Sequence, residues 1–294
     1  MRKLKALWEL MRLEHGVMLG IAILIGSVIA LRDLPPWDKF LLTFFTALFL
    51  EASTFALNDY YDLDIDKKNK RTDRPLARGV LSPRSALYLC FILFPLGIIC
   101  SFFVNITCFV IALVTGLLAL LYDARLKKMK LAGNFYIAYI MAIPFIFGGA
   151  AAAPGNRLAL DMPPVIYVVA LIAFLAGVGR EIMKDVMDFK GDRETGVKSF
   201  PRYIGIRGSQ ILSALFYLVA IVLSFLPFYI PVFDVYYQNF YYLLLVFITD
   251  VLFLIASLQL VFKREVDLRF LRKYTLAATF VGLLAFLVGA FITS

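Results

Sequence analysis

Apolar residues recur along this chain in runs near 20 residues, divided by polar or Pro- and Gly-rich stretches such as "RDLPPWDK", "PGNRLALDMPP" and "PFYIPVFD". A run of that length crosses the hydrocarbon core of a bilayer as a helix. Strands of a membrane barrel would alternate with period two, and these runs do not. The pattern predicts nine spans, at roughly 14–32, 40–60, 85–104, 106–122, 134–153, 163–185, 209–229, 239–262 and 271–292. The first uncharged run, Gly16 to Leu31, follows a charged amphipathic segment, Met1 to His15, and precedes many more spans. It therefore reads as a span rather than a cleavable signal. The expected fold class is an all-α membrane protein.

Composition sharpens this picture. Hydrophobic residues make up 62% of the 294, against about 45–50% in soluble domains. The net charge of +9 does not point to nucleic acid, because the cations are sorted by side. Of 30 Lys and Arg, 27 fall on one face: in the N-terminal segment and in the loops after the second, fourth, sixth and eighth spans. Only Arg32, Lys39 and Arg157 fall on the other face. The positive-inside rule then expects a multi-pass cell-membrane protein with its N-terminus and basic loops cytoplasmic and its C-terminus outside. Those cations also suit anionic membrane lipid. No obligate protein partner is evident. Cys90, Cys100 and Cys108 lie in apolar segments at no metal-ligand spacing, and His15 is the single histidine. A zinc site and a Ser-His-Asp triad are thereby excluded.

Topology explains the cations but not the acids. The stretch "NDYYDLDIDKKNKRTDRPLARG", Asn58 to Gly79, follows the second span, and "REIMKDVMDFKGDRETGVKSFPRYIG", Arg180 to Gly205, ends the sixth. At an offset of 126, Asp59, Asp62, Asp66, Pro75 and Gly79 coincide with Asp185, Asp188, Asp192, Pro201 and Gly205. The expected domain is a single one, 1–294, made of two pseudo-repeated four-helix halves, about 10–130 and 131–262, with an extra helix at 271–292.

On a helix, Asn58, Asp59, Asp62 and Asp66 lie within about 100° of arc. Carboxylates so close repel unless they bind cations. Hard oxygen donors suit Mg²⁺, which completes its shell with waters and phosphate oxygens. The two faces therefore read as a Mg²⁺–diphosphate site beside an apolar chamber. Lys67, Lys70, Arg71, Arg74 and Lys127 stand nearby in sequence to balance the remaining phosphate charge. Glu51, seven residues before Asn58 and on nearly the same face, points to either the chamber or a structural hydrogen bond. Asp250 reads as a helix–helix bond.

These residues resemble the UbiA superfamily of intramembrane prenyltransferases. The family pattern NDxxDxxxD is met by Asn58, Asp59, Asp62 and Asp66, and DxxxD by Asp188 and Asp192. "KRTDRPLARG" is similar to the family's Arg-Pro loop, and "YDARLKK", Tyr122 to Lys128, followed by Gly133 and Asn134, to its stretch after the fourth span. Where many members open the first helix with Arg-Pro-x-Asn, this chain keeps Arg12 and has His15 near the Asn position. The resemblance implies nine helices around a central apolar chamber. It also implies transfer of a prenyl group from an allylic diphosphate to a hydrophobic or aromatic acceptor, with Mg²⁺, or Mn²⁺ in its place.

It implies roles as well. Asn58, Asp62, Asp66, Asp188 and Asp192 are expected to hold metal. Arg12, Lys67, Arg71, Arg74, Lys127 and Lys128 are expected at the diphosphate. Asp59 and Asp185, at the edge of each metal-facing arc, are expected to act on the acceptor as base or orienting groups, and Tyr122 to act in catalysis. Glu51, Tyr60 and Tyr139 are expected to line the chamber, with Tyr61 and Tyr136 as further aromatic candidates for stabilising a carbocation. The acceptor stays open: "RTDRPLARG" leans toward an aromatic quinone precursor, while the basic loops equally suit a prenylated glycerol phosphate. A secondary transporter is the main alternative, since transporters also use repeats and intramembrane acids. Its site would lie near the midplane in broken helices, whereas these acids end apparently continuous spans. A purely structural protein leaves the paired acid faces unexplained.

Overall fold

The amphipathic N-terminal segment folds as α1, Arg2–Met11, which turns at Arg12 (φ 50°) into a 3₁₀ turn over Leu13–His15. Spanning helices follow: α2 Gly16–Leu31, α3 Trp37–Lys68, α4 Pro83–Val104, α5 Ile106–Ala124, α6 Lys130–Ala152, α7 Pro164–Glu194 and α8 Phe200–Ser224. A short α9, Leu226–Tyr229, leads to α10, Phe240–Phe262, and α11, Leu268–Phe291. This computed structural model describes residues 2–68, 70–124, 129–153, 161–194, 196–263 and 265–292. Nine helices among the described residues are long and apolar enough to cross a membrane, and no strand occurs among them. The chain is a multi-pass membrane protein.

Helices α3 and α7 outrun their predicted ends, stopping at Lys68 and Glu194 rather than near 60 and 185. The hydropathy marked where the apolar surface stops. The helix itself continues, because charged residues there are tolerated in helical backbone and need only solvent or partners on their faces. As a result both acid clusters sit in the last turns of unbroken helices. α8 begins at Phe200, ahead of the predicted 209, because its first turn is separated from the spanning part by a kink at Gly205 (φ 72°).

The two acid-bearing helices end in the same turn. After α3, the Lys70 N–H donates to Lys67 and the Arg71 N–H to Asp66. After α7, the Gly196 N–H donates to Arg193 and the Val197 N–H to Asp192. This paired closure is a Schellman cap with its left-handed residue at Lys70 (φ 50°) and Gly196 (φ 74°). Farther on, Gly79 (φ 71°) and Gly205 (φ 72°) are both left-handed. Each pair is separated by the offset of the acid repeat (196 − 70 = 205 − 79 = 126).

Helices α2 and α6 cross in backbone contact. A Cβ on Gly26 of α2 would lie 2.0 Å from the Phe145 carbonyl oxygen, and one on Gly148 of α6 would lie 2.1 Å from that of Ile23. Each glycine faces the carbonyl three residues before the other, a reciprocal contact that only residues without side chains permit. Ser27 Oγ adds a 3.0 Å bond to the Gly148 carbonyl. This crossing lies in the main core, where Ile23, Ile25, Phe145, Ile166 and Phe286 are buried. Asp250 on α10 accepts from Ser224 Oγ of α8 at 2.7 Å, the interhelical bond expected of it. Cys90 and Cys108 are buried apolar residues, and Cys100 is half-buried.

Candidate active site

Helix α3 carries Asp59 inward, 2% exposed. A carboxylate so buried requires compensating charge. Arg12 Nη2 lies 2.7 Å and Arg74 Nη1 2.6 Å from the same Oδ1. Arg12 reaches it from the left-handed joint between α1 and the 3₁₀ turn, with its guanidinium 4.2 Å above the Phe55 ring. Arg74 comes from the loop after α3, and its Nε is 3.9 Å from Asp66, which is also buried. That loop is held by α1: Ala6 and Leu10 pack with Ala56, Leu76 and Leu81, and Glu9 pairs with Arg78. Arg71 is exposed and forks onto Asp73 through two bonds of 2.8 and 2.7 Å. This bonding holds the Asp73 carboxyl below the usual carboxylate range.

The α7 cluster gathers around one ammonium group. Lys130 Nζ, at the start of α6, lies 2.7 Å from Asp192, 3.6 Å from Asp185 and 3.7 Å from Asp188. Asp185 is 2% exposed and accepts from Asn134 Nδ2 at 2.8 Å and from the Phe200 N–H at 3.4 Å. One helix turn earlier, Lys184 bonds the buried Glu181 through both carboxylate oxygens, at 2.9 and 2.7 Å.

Between the acids and the membrane core lies a cavity of about 170 Å³, formed by α2, α3, α5 and α6. Its walls are mostly carbon, from residues such as Leu50, Ile111, Ile140 and Phe147. Its polar groups include Glu51, Asn58, Tyr122 and Asp123. Asn58 Nδ2 donates to Asp123 Oδ1 at 2.9 Å, tying α3 to α5. Tyr122 stacks on Tyr136 at 4.7 Å, and both rings line the cavity. Tyr139 shares a 2.8 Å bond with the lining residue Thr115. At the α2 end, His15 Nδ1 lies 3.8 Å from Glu51 Oε1.

Residues 19–277 match the UbiA prenyltransferase family. The chain belongs to that family. It is 43% identical to the digeranylgeranylglyceryl phosphate synthase of Archaeoglobus fulgidus over 99% of this chain and 97% of that one. It is 32% identical to the synthase of that name from Pyrococcus furiosus over 98% of each. A solved structure from work on digeranylgeranylglyceryl phosphate synthase in membranes superposes with a TM-score of 0.79 at 33% identity, covering 99% of both chains. A UbiA homolog from Archaeoglobus fulgidus bound to GPP and Mg²⁺ shares the fold, with a TM-score of 0.65 at 15% identity over 98% of this chain and 100% of that one. The protein is thus a prenyltransferase, and the transporter alternative finds no support.

Within this UbiA member, the residues expected from sequence divide into groups. Asp59, Asp66, Arg12 and Arg74 come together, as do Asp185, Asp188 and Asp192. Asn58, Glu51 and Tyr122 line the cavity. Asp59 lies between the guanidinium groups of Arg12 and Arg74, both on its Oδ1. Asp185 is similarly engaged. Neither Tyr60 nor Tyr139 is among the cavity residues: Tyr60 packs on the α1–loop cluster and against Tyr61 at 5.7 Å, and Tyr139 reaches the lining through Thr115. Lys67 is exposed on the far end of α3. Lys127 and Lys128 lie outside the described residues.

Sequence reasoning missed Lys130, Asn134 and Asp123 as site residues. Their signals were faint: Lys130 was one cation in a basic loop, Asn134 half of a Gly-Asn pair, and Asp123 the neighbour of a chosen tyrosine. The donor set of both clusters, carboxylates with one amide, fits a hard divalent cation. Among the described residues no three acids converge at ligand distance. Here Arg12, Arg74 and Lys130 provide the compensating charge instead.

Proposed function

We propose that this chain transfers a geranylgeranyl group from geranylgeranyl diphosphate to the free hydroxyl of geranylgeranylglyceryl phosphate, within the membrane and with Mg²⁺. The observation that carries this reading is the 43% identity, over nearly the full length of both chains, to a relative named for a product with two such chains on glyceryl phosphate. A transferase that adds one prenyl group at a time must start from the singly prenylated glyceryl phosphate. That acceptor agrees with the basic loops and replaces the lean toward an aromatic quinone precursor.

The site supports the chemistry. The carbon-walled cavity suits the donor chain and keeps water from an allylic cation. Asn58, Asp62 and Asp66 from α3, with Asp188 and Asp192 from α7, would hold Mg²⁺. The ion would supply positive charge to the departing diphosphate. Arg12, Arg74 and Lys130 are the cations nearest these acids, and they add donors to a phosphate group. Tyr122 and Tyr136, stacked on each other in the cavity wall, offer ring faces to developing positive charge.

Two further parts of the reading concern architecture. The matched caps after α3 and α7 support a single domain of two related halves, about 10–130 and 131–262, with an extra helix at 271–292. The sorting of 27 of 30 cations supports a cytoplasmic N-terminus and acid clusters, with the C-terminus outside. The test of the function is an acceptor and donor panel on purified protein. Geranylgeranyl diphosphate and geranylgeranylglyceryl phosphate should give digeranylgeranylglyceryl phosphate by mass spectrometry with Mg²⁺ and not with excess chelator. Turnover of an aromatic acceptor in preference to the glyceryl phosphate would overturn the acceptor.

A further inference from the structure

Ether formation releases a proton, and several acids around the site, Asp59 and Asp185 among them, are already engaged. Asp59 lies between Arg12 and Arg74, Asp185 accepts from Asn134 and the Phe200 N–H, Asp192 from Lys130, and Asp123 from Asn58. Glu51 differs. It lines the cavity, and its ionisable neighbour among the described residues is His15, whose Nδ1 is 3.8 Å from Oε1, longer than a hydrogen bond. His15 is 53% exposed at the head of α2, and its ring stands edge-on to Phe55 at 5.3 Å. A carboxylate facing the cavity thus lies beside one half-exposed imidazole, the side chain best suited to pass protons near neutral pH.

We propose that Glu51 is the proton acceptor for the acceptor hydroxyl and that His15 carries the proton on to solvent. This rests on the reading of an alcohol acceptor above. The diphosphate leaves with the electron pair of its C–O bond. The acceptor oxygen supplies the pair for the new bond to C1. The O–H pair stays on oxygen as the proton passes to a Glu51 carboxylate oxygen, then to His15 and to water. Glu51 is a catalytic residue in this scheme; His15 acts through it.

Positional isotope exchange separates this role from a structural one. Donor labelled with ¹⁸O at the bridging position scrambles the label whenever it ionises and recombines, with no need for proton transfer. In the full-length purified enzyme, Glu51→Gln should lower transfer to the glyceryl phosphate acceptor by about 100-fold or more. Scrambling, measured with an acceptor analogue lacking the free hydroxyl, should persist within about threefold of wild type. Glu51→Asp should recover part of the transfer. His15→Gln should leave the first turnover near wild type and slow later ones. Transfer by Glu51→Gln within about fivefold of wild type would overturn the assignment, the diphosphate then being the proton acceptor. Equal loss of scrambling and transfer in Glu51→Gln would also overturn it, making Glu51 a donor-binding or structural residue. Absence of both scrambling and transfer in the wild type would instead overturn the donor reading on which the assignment stands.

Discussion

Replacing Lys130 by Met isolates the charge logic of the α7 cluster. The ammonium lies 2.7 to 3.7 Å from three carboxylates, and the long apolar replacement keeps the stem while removing the charge. Removing one member of a fully buried pair costs about 3–5 kcal/mol, and of an exposed pair about 0–1 kcal/mol. Lys130 is a quarter exposed, Asp185 is buried and Asp188 is half exposed, so the loss should be roughly 2 kcal/mol. For a chain of this size that corresponds to an apparent Tm about 3 °C lower in detergent. The three acids then repel, and a divalent cation relieves them as the ammonium did. At 10 mM Mg²⁺ and a dissociation constant near 1 mM, binding returns about 1.4 kcal/mol. Mg²⁺ titration by differential scanning fluorimetry should therefore raise the Tm of Lys130→Met more than that of wild type. An equal or smaller Mg²⁺ shift in the variant would refute the view that Lys130 and the metal compensate the same carboxylates.

Gly148→Leu should abolish the folded monodisperse peak in size-exclusion chromatography, because even its Cβ would lie 2.1 Å from the Ile23 carbonyl oxygen; Gly191→Ala, where a Cβ meets open space, should leave the peak intact. Asp73→Asn should change stability by less than about 0.5 kcal/mol, since the pair with Arg71 is exposed. The sign follows from the lowered carboxyl: the pair persists above the ordinary Asp value near 3.9 and is lost only as pH falls through the depressed one. Thermal scans between pH 5 and 9 should therefore show no pH dependence arising from it. Trp8 and Leu4 are exposed on α1 beside Lys3 and Lys5, so Trp8 fluorescence in a Trp37→Phe background should be quenched by shallow spin-labelled lipids and not by deep ones.

Chain chemistry by itself determined the elements and pointed to a metal–diphosphate site, and the resemblance to the UbiA family supplied the reaction class. Apolar runs near 20 residues must be helices in a bilayer, because no other open structure satisfies the backbone there. The repeat of Asp59, Asp62 and Asp66 as Asp185, Asp188 and Asp192 placed two carboxylate faces on two helix ends. The partners of those acids were not legible. Seven cations crowd the loop after the second span, and spacing cannot rank them; the left-handed joint at Arg12 and the packing of α1 on Leu76 and Leu81 selected Arg12 and Arg74 for Asp59. Lys130 became the hub of the second cluster only because α6 starts beside the end of α7. Tyr60 and Glu51 show the same division: both lie on α3, yet the crossing of α2, α5 and α6 over that helix put Glu51 in the cavity and left Tyr60 outside it. Periodicity along one helix is a local property, readable from the chain. Which face meets a cavity, an arginine or lipid depends on the neighbouring helices, and glycine contacts such as Gly26 with Gly148 decide how close those neighbours come.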